Sequence, residues 1–159
     1  MNKIGVIGAG SWGTALAVTL SNKGHSVRIW DIDKTHIRQL RENKENVRYL
    51  PGVKFCDRLV PADTVEEALA GADTVLFSAP AQHFRSALES AASYINEDMI
   101  IVNVAKGIEQ KTLMRMSEIT KEMGQYKKYA VLSGPSHAEE VGRAMPTTVV
   151  AASENHDVA

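Results

Sequence analysis

Three glycines, at residues 8, 10 and 13, constrain this chain more than any other feature. They occur as Gly8-Ala9-Gly10-Ser11-Trp12-Gly13. The apolar run Lys3 to Ile7 precedes them, and a stretch in which Leu16 and Leu20 recur four residues apart follows. The run reads as a strand, and Trp12 to Lys23 reads as a helix. Gly8 permits a tight turn. Gly10 carries no Cβ, so the backbone there lies open to close approach. Gly13 lets the helix sit directly against the strand, and Ala17 adds a second small residue to that contact. Amides at the start of a helix, with its partial positive charge, suit a diphosphate. The plain alternative is a strand–helix turn that needs glycine for backbone reasons alone. The spacing and both flanking elements favour the phosphate reading.

The rest of the chain repeats the same alternation. Gly24 is placed to end the first helix. Ser26 to Trp30 reads as a second strand, and Asp33 as the cap of a helix through Ile37, Leu40 and Arg41. Residues 44–58 show no period and read as an irregular loop or broken helix, with Tyr49 and Leu50 tucked inward. A short strand follows at Leu59-Val60. Thr64 caps a helix from Val65 to Leu69, with Glu67 completing a capping box. Thr74 to Ala79 is a strand, Gln82 to Tyr94 a helix, and Met99 to Val104 an apolar strand covered on both faces. Thr112 to Met123 reads as a helix with Leu113, Met116, Ile119 and Met123 on one stripe. Tyr129 to Leu132 is a strand, Ser136 caps a helix to about Val141, Thr147 to Ala151 is a last strand, and Ser153 begins a further helix. The expected fold is α/β: a Rossmann-type, doubly wound, mostly parallel sheet with helices on both faces.

Asp31 stands directly after the second strand, 31 − 13 = 18 residues past Gly13. That is near the spacing of roughly 20 residues at which an acid meets the ribose hydroxyls of NAD. A carboxylate there accepts from both hydroxyls and repels the 2′-phosphate of NADP. Asp31 has a rival role as cap of the next helix, for which Asp33 is better placed. Ile32 and Asp33 bring no cation for a phosphate; Lys34 and Arg38 lie nearby. NAD is the expected cofactor, with NADP the alternative.

Composition sets limits around this reading. At 159 residues the chain fits one domain, and 44% hydrophobic against 23% charged residues is the balance of a folded globular protein. The net charge of −1 gives no reason to expect a nucleic-acid partner. No apolar run approaches the roughly 18 residues that stable membrane insertion needs. Glycines interrupt the N-terminal apolar stretch too early for a signal peptide. The single cysteine, Cys56, has no internal partner, and a reducing, cytoplasmic compartment is the expectation. The histidines show no paired ligand spacing, so no metal site is expected.

Further motifs follow the later strands: Ser78-Ala79-Pro80-Ala81-Gln82, Asn103-Val104-Ala105-Lys106-Gly107-Ile108-Glu109, and Ser133-Gly134-Pro135-Ser136-His137-Ala138-Glu139-Glu140-Val141. With the glycine loop, Asn46-Val47-Arg48-Tyr49-Leu50-Pro51-Gly52 and the stretch Gly142 to Val150, the chain resembles the NAD(P)-dependent glycerol-3-phosphate dehydrogenases of bacterial type over nearly its whole length. The resemblance implies hydride transfer between the nicotinamide cofactor and dihydroxyacetone phosphate or sn-glycerol 3-phosphate, which feeds phospholipid synthesis. It implies that Gly8, Gly10, Ser11, Trp12, Gly13, Asp31, Ile32, Asp33, Tyr49, Lys106 and Ala138 serve the cofactor. It implies that Lys106, Gly134 and Ser136 line the site of a small phosphate-bearing substrate. The family's principal catalytic lysine sits in a helical second domain, expected beyond residue 159, so no residue of this chain takes that role. A homodimer of the longer enzyme is left open. The commoner family pattern has arginine where Ile32 and Asp33 stand. That departure counts against NADP and agrees with Asp31.

Taken alone, Lys106 reads as a solvated loop lysine; its Lys-Gly-Ile-Glu context makes it a positive charge beside the reacting carbonyl. His137 lies at a helix start and reads as a rim residue. Trp30 reads as packing and Trp12 as a rim of the cofactor crevice. Two rivals remain: a related β-hydroxyacid or ketopantoate-type dehydrogenase, and a non-catalytic NAD-binding sensor module.

Overall fold

A computed structural model describes residues 1–124 and 126–159. Among these residues nine strands fall in chain order: β1 Lys3–Ile7, β2 Ser26–Trp30, β3 Glu45–Asn46, β4 Leu50–Lys54, β5 Leu59–Pro61, β6 Thr74–Phe77, β7 Ile100–Asn103, β8 Tyr129–Ser133 and β9 Val150–Ala152. Among the described residues six α-helices join them: α1 Ser11–Asn22, α2 Lys34–Asn43, α3 Val65–Leu69, α4 Phe84–Ala91, α5 Met116–Met123 and α6 Ala138–Gly142, with one 3-10 turn on either side of α4. Seven strands form one sheet in the order β5-β2-β1-β6-β7-β8-β9. All its pairings are parallel except the last, where β9 runs antiparallel to β8.

The strand order reverses between β1 and β6, so the carboxyl ends of these neighbours diverge into a crevice. In open α/β sheets that is where ligands bind. Alternate side chains of the central strands feed two apolar layers. Val6 and Leu76 pack with Ala15, Val18, Ile37 and Leu40 of α1 and α2. Ile7, Val75 and Phe77 pack on the opposite face with Leu69, Phe84, Leu88 and Ile119 of α3, α4 and α5. Helices on both faces of a mostly parallel sheet are the architecture that the alternating pattern predicts.

Local stops and starts follow the chemistry of single residues. Gly24 and Gly71 take positive φ, at +98° and +70°, and end their helices. Asp33 caps α2, accepting from the amides of Thr35 and His36. Thr64 caps α3 through the amide of Glu67, while Glu67 reaches back to the amide of Asp63.

Several elements differ from expectation. Residues 44–58 are not irregular: β3 and β4 pair as an antiparallel hairpin with a register shift at Glu45 and Asn46. Lys44 turns the chain in the left-handed region, and Glu45 holds the hairpin through Lys54 and the amide of Gly52. Leu50 is buried as expected, but Tyr49 is 40% exposed. The helix expected from Thr112 begins only at Met116. Ahead of it the chain doubles back, with Ile108 bridging Arg115 and the amide of Leu113 donating to the carbonyl of Glu109. Leu113 takes φ +61° and points to solvent, 71% exposed, while Met116 and Ile119 are buried. Ser136 does not cap α6. The helix starts at Ala138 without a side-chain cap, and the Ser136 hydroxyl turns toward Lys106 and Gly134. The last strand is shorter than expected and pairs at the sheet edge. Beyond it the amides of Val158 and Ala159 close one turn on the carbonyl of Asn155.

Phe84 and Phe77 meet edge to face, with ring centroids 5.6 Å apart, and both are fully buried. Phe84→Ala is expected to destabilise the domain by about 3–5 kcal/mol. Urea unfolding of wild type and variant measures the difference.

Candidate functional site

The glycine loop lies at the crevice between β1 and β6. Gly8 has φ +107° and donates to the carbonyl of Trp30 at 2.8 Å. Gly13 faces the Gly8 carbonyl and the Ser78 side chain so closely that a Cβ would collide with both. Glycine at 13 therefore sets the distance between α1 and the two central strands. Gly10 is the opposite case: a Cβ there would meet nothing within 4 Å. Its lack of a side chain answers no constraint inside the protein and leaves the loop open on its outer side. That cradle is what a diphosphate on the first turn of α1 requires, so the residues present fit a dinucleotide.

Asp31 does not cap α2; Asp33 has that role. One Asp31 oxygen accepts from the amide of Ala9 at 2.8 Å and the other from the amide of Asp33 at 3.1 Å. The carboxylate thus ties the end of β2 to the glycine loop. Ile32 beside it is 84% exposed. Arg48, on the hairpin, lies 3.6 Å from Asp33 and stacks on the Tyr49 ring at 4.8 Å. A cation therefore stands beside the β2–α2 turn, contributed by the segment that lacked an expected structure. Tyr49 sets its ring edge against His36, with centroids 5.2 Å apart.

The three motifs after β6, β7 and β8 come together. Asn103 shapes the turn after β7 by bonding both backbone groups of Ala105. Gln82 accepts from the amide of Gln110 and donates to the carbonyl of Ile108. Lys106 crosses to the next loop, its Nζ donating to the Gly134 carbonyl at 3.0 Å and to the Ser136 carbonyl and hydroxyl at 3.3 and 3.4 Å. The same ammonium lies 5.8 Å from the centroid of the Trp12 ring. Lys106, Gly134, Ser136 and Trp12 thus form one cluster. Trp12 Nε1 is buried without a hydrogen-bond partner among the described residues. Gly134, at φ +154°, runs tight against the backbone of Thr148 and Val149. Ala138 is buried in the apolar layer behind Trp12 and Val141. His137 is exposed, and Trp30 packs in the opposite layer, as expected.

Two groups of residues here were not anticipated. The first surrounds Ala9: Asn46, Thr14 and His36, all buried. The second anchors the Lys106 loop. Arg85 of α4 grips Glu109 with two parallel bonds at 2.9 and 3.0 Å and also pairs with Glu122. Thr112 donates to the same Glu109 carboxylate. The Arg85 guanidinium and the Thr112 hydroxyl pull the Glu109 pKa from 4.5 to about 2. An acid three residues after Lys106 was a visible signal; its partner, 24 residues earlier, was not.

This fold and glycine loop define an α/β domain of the dinucleotide-binding class. Residues 3–159 match the family described as the NAD-dependent glycerol-3-phosphate dehydrogenase N-terminus, and the chain belongs to that family. It is 45% identical over its whole length to 47% of a glycerol-3-phosphate dehydrogenase [NAD(P)+] of Agathobacter rectalis. It is 44% identical, over 98% of its length, to 46% of the enzyme of that name from Bacillus velezensis. The crystal structure of the Coxiella burnetii glycerol-3-phosphate dehydrogenase superposes with a TM-score of 0.91 at 34% identity, over 98% of this chain and 48% of that one. The chain spans about half the length of the curated relatives it matches. No helix among the described residues is long and apolar enough to cross a membrane.

The depressed Glu109 pKa makes a pH prediction. A carboxylate with a lowered folded-state pKa stabilises the fold fully above its unfolded value and loses that contribution as pH falls through its folded value. The Arg85–Glu109 contribution is therefore constant above about pH 4.5 and fades between about 4.5 and 2. Unfolding free energies of wild type and Glu109→Gln, measured against pH, are expected to differ by a constant amount near neutrality and to converge in that window.

Proposed function

We propose that this chain is the cofactor-holding half of an enzyme that moves hydride between NAD(P)H and dihydroxyacetone phosphate or sn-glycerol 3-phosphate. The dinucleotide diphosphate lies along Gly8, Gly10, Ser11, Trp12 and Gly13. Asp31 accepts from the adenosine ribose, with Ile32, Asp33 and Tyr49 around it and Ala138 behind Trp12. NAD is the preferred cofactor. A helical domain following residue 159 supplies the principal catalytic lysine, and the enzyme works on a small phosphate-bearing substrate in the cytoplasm. The chain alone binds cofactor without turnover.

The observation that carries this reading is the convergence of Lys106, Gly134 and Ser136 over Trp12. Bound nicotinamide supplies or accepts the hydride. The protein must hold the carbonyl beside it, place positive charge near the carbonyl oxygen and manage one proton. Lys106 provides a fixed ammonium at the mouth of the glycine loop. The two residues it bonds form the opposite wall, where a small substrate is gripped from both sides.

The test uses the longer enzyme. Oxidation of NADH is expected to depend on dihydroxyacetone phosphate, and Lys106→Ala is expected to lower turnover by roughly a hundredfold or more while leaving the melting temperature nearly unchanged. Turnover of another keto acid in place of dihydroxyacetone phosphate would overturn the substrate assignment. The cofactor reading is tested on this chain itself. Asp31→Ala is expected to weaken NADH by about tenfold or more, since a charge-assisted bond is worth about 1.5–3 kcal/mol. NADPH is expected to weaken less, so the NADH/NADPH affinity ratio falls; an unmoved ratio assigns Asp31 to the loop contact alone.

A further inference from the structure

The amide nitrogen and carbonyl oxygen of Ala9 are both bonded to groups distant in sequence. Its N–H goes to Asp31. Its carbonyl faces inward and receives Asn46 Nδ2 at 2.9 Å, His36 Nε2 at 3.1 Å and Thr14 Oγ1 at 3.4 Å. Asn46 and Thr14 are fully buried and His36 is 2% exposed. Asn46 Nδ2 also bonds Thr14 Oγ1 at 2.8 Å, and Asn46 Oδ1 receives the amide of Tyr49. Because a carbonyl only accepts, His36 must carry its hydrogen on Nε2. Its Nδ1 is buried and has no partner among the described residues.

This cluster is larger than a turn needs. One carbonyl oxygen has two lone pairs, yet three buried donors converge on it. A peptide unit is planar and trans, so the C=O of Ala9 and the N–H of Gly10 point in opposite directions. Drawing the Ala9 carbonyl into the protein turns the Gly10 amide outward. The space that a Cβ on Gly10 would occupy is open to 4 Å, and the Gly10 amide has no acceptor among the described residues.

We infer that Asn46, with Thr14 and His36, is a positioning group for the dinucleotide: it fixes the Ala9–Gly10 peptide so that the Gly10 amide presents its hydrogen to the diphosphate. The inference rests on the glycine loop being the cofactor cradle. Asn46 reaches Ala9 because the β3–β4 hairpin folds over α1, so through Asn46 the hairpin acts on the glycine loop by way of the Ala9 backbone. With the donor lost, the peptide is free to rotate, and the amide must be ordered again each time a diphosphate binds.

The test titrates NADH and adenosine separately into this chain and its variants, by fluorescence and calorimetry, below the melting onset of each. Asn46→Asp keeps the shape but replaces the donor by an oxygen facing the Ala9 carbonyl. It is expected to weaken NADH by about tenfold or more and adenosine, which lacks the diphosphate, by less than about threefold. Thr14→Val removes one hydroxyl at constant volume and is expected to give a smaller loss of the same pattern. It carries the test if Asn46→Asp does not fold. Equal losses for NADH and adenosine, or a lowered melting temperature with both affinities unchanged, would overturn the inference and leave the cluster a packing feature. Gly10→Val separates the two levels. If it abolishes NADH binding while the Asn46 and Thr14 variants bind like wild type, the positioning role alone fails. If it also binds like wild type, the glycine loop is not the cradle.

Discussion

The backbone of Ala9 is the point through which the segments of the crevice are joined. Its N–H is held by the acid after β2, and its carbonyl by α1, α2 and the β3–β4 hairpin. Ala9 itself is fully buried. A glycine-rich loop is conformationally free by composition, and ordering it costs roughly 1–2 kcal/mol per residue in backbone entropy. Here the ordering is done in the fold, by buried bonds to the one non-glycine residue between Gly8 and Gly10. A ligand that meets a loop already set does not spend its binding energy on setting it. The same logic explains why Gly13 must be glycine: its contact with Ser78 and the Gly8 carbonyl holds the far end of the loop against β6.

The opposite wall is built on a different principle. Lys106 sits on an exposed loop, where a free side chain would sample many rotamers. The loop is pinned behind it by charge: Glu109 is gripped by Arg85 from the helix under it, and Gln82 bonds the backbone on both sides of Glu109. Bidentate arginine–carboxylate pairs fix direction as well as distance. The low pKa of Glu109 reports how firmly the pair holds its charged form. One side of the crevice is therefore ordered by side-chain donors on a carbonyl, and the other by a largely buried ion pair.

What was legible in the sequence follows from how local each signal is. The glycine loop, β1, β2 and the Asp33 and Thr64 caps depend on residues within a few positions of one another, and they stand where the pattern puts them. The motifs after β6, β7 and β8 were visible as motifs, and parallel strands bring their ends to one edge. The hairpin at 45–54 was not legible, because β3 is two residues long and its register shift breaks any alternation. The late start of α5 was hidden for another reason. Leu113 completes a helical stripe in sequence, but the Glu109 backbone takes the hydrogen bonds of that turn and forces Leu113 outward. Asn46 and His36 were invisible as functional residues because their partner is a backbone carbonyl, which leaves no mark on composition.

The geometry at Lys106 bears on how the proposed reaction divides its labour. All three hydrogen-bond contacts of its ammonium are to oxygens, and Trp12 offers its ring face to the same charge. These contacts hold Lys106 in one place as a positive charge and hydrogen-bond donor. A carbonyl that becomes an alkoxide needs such a charge nearby, and it gains more from one that does not have to reorient. The proton that completes the alcohol must then come from a group free to give it up. His137 is exposed and does not bond to this cluster, and the Glu109 carboxylate is committed to Arg85 and Thr112. On the proposed function, the donor therefore belongs to the part of the enzyme that closes over Lys106 from the other side.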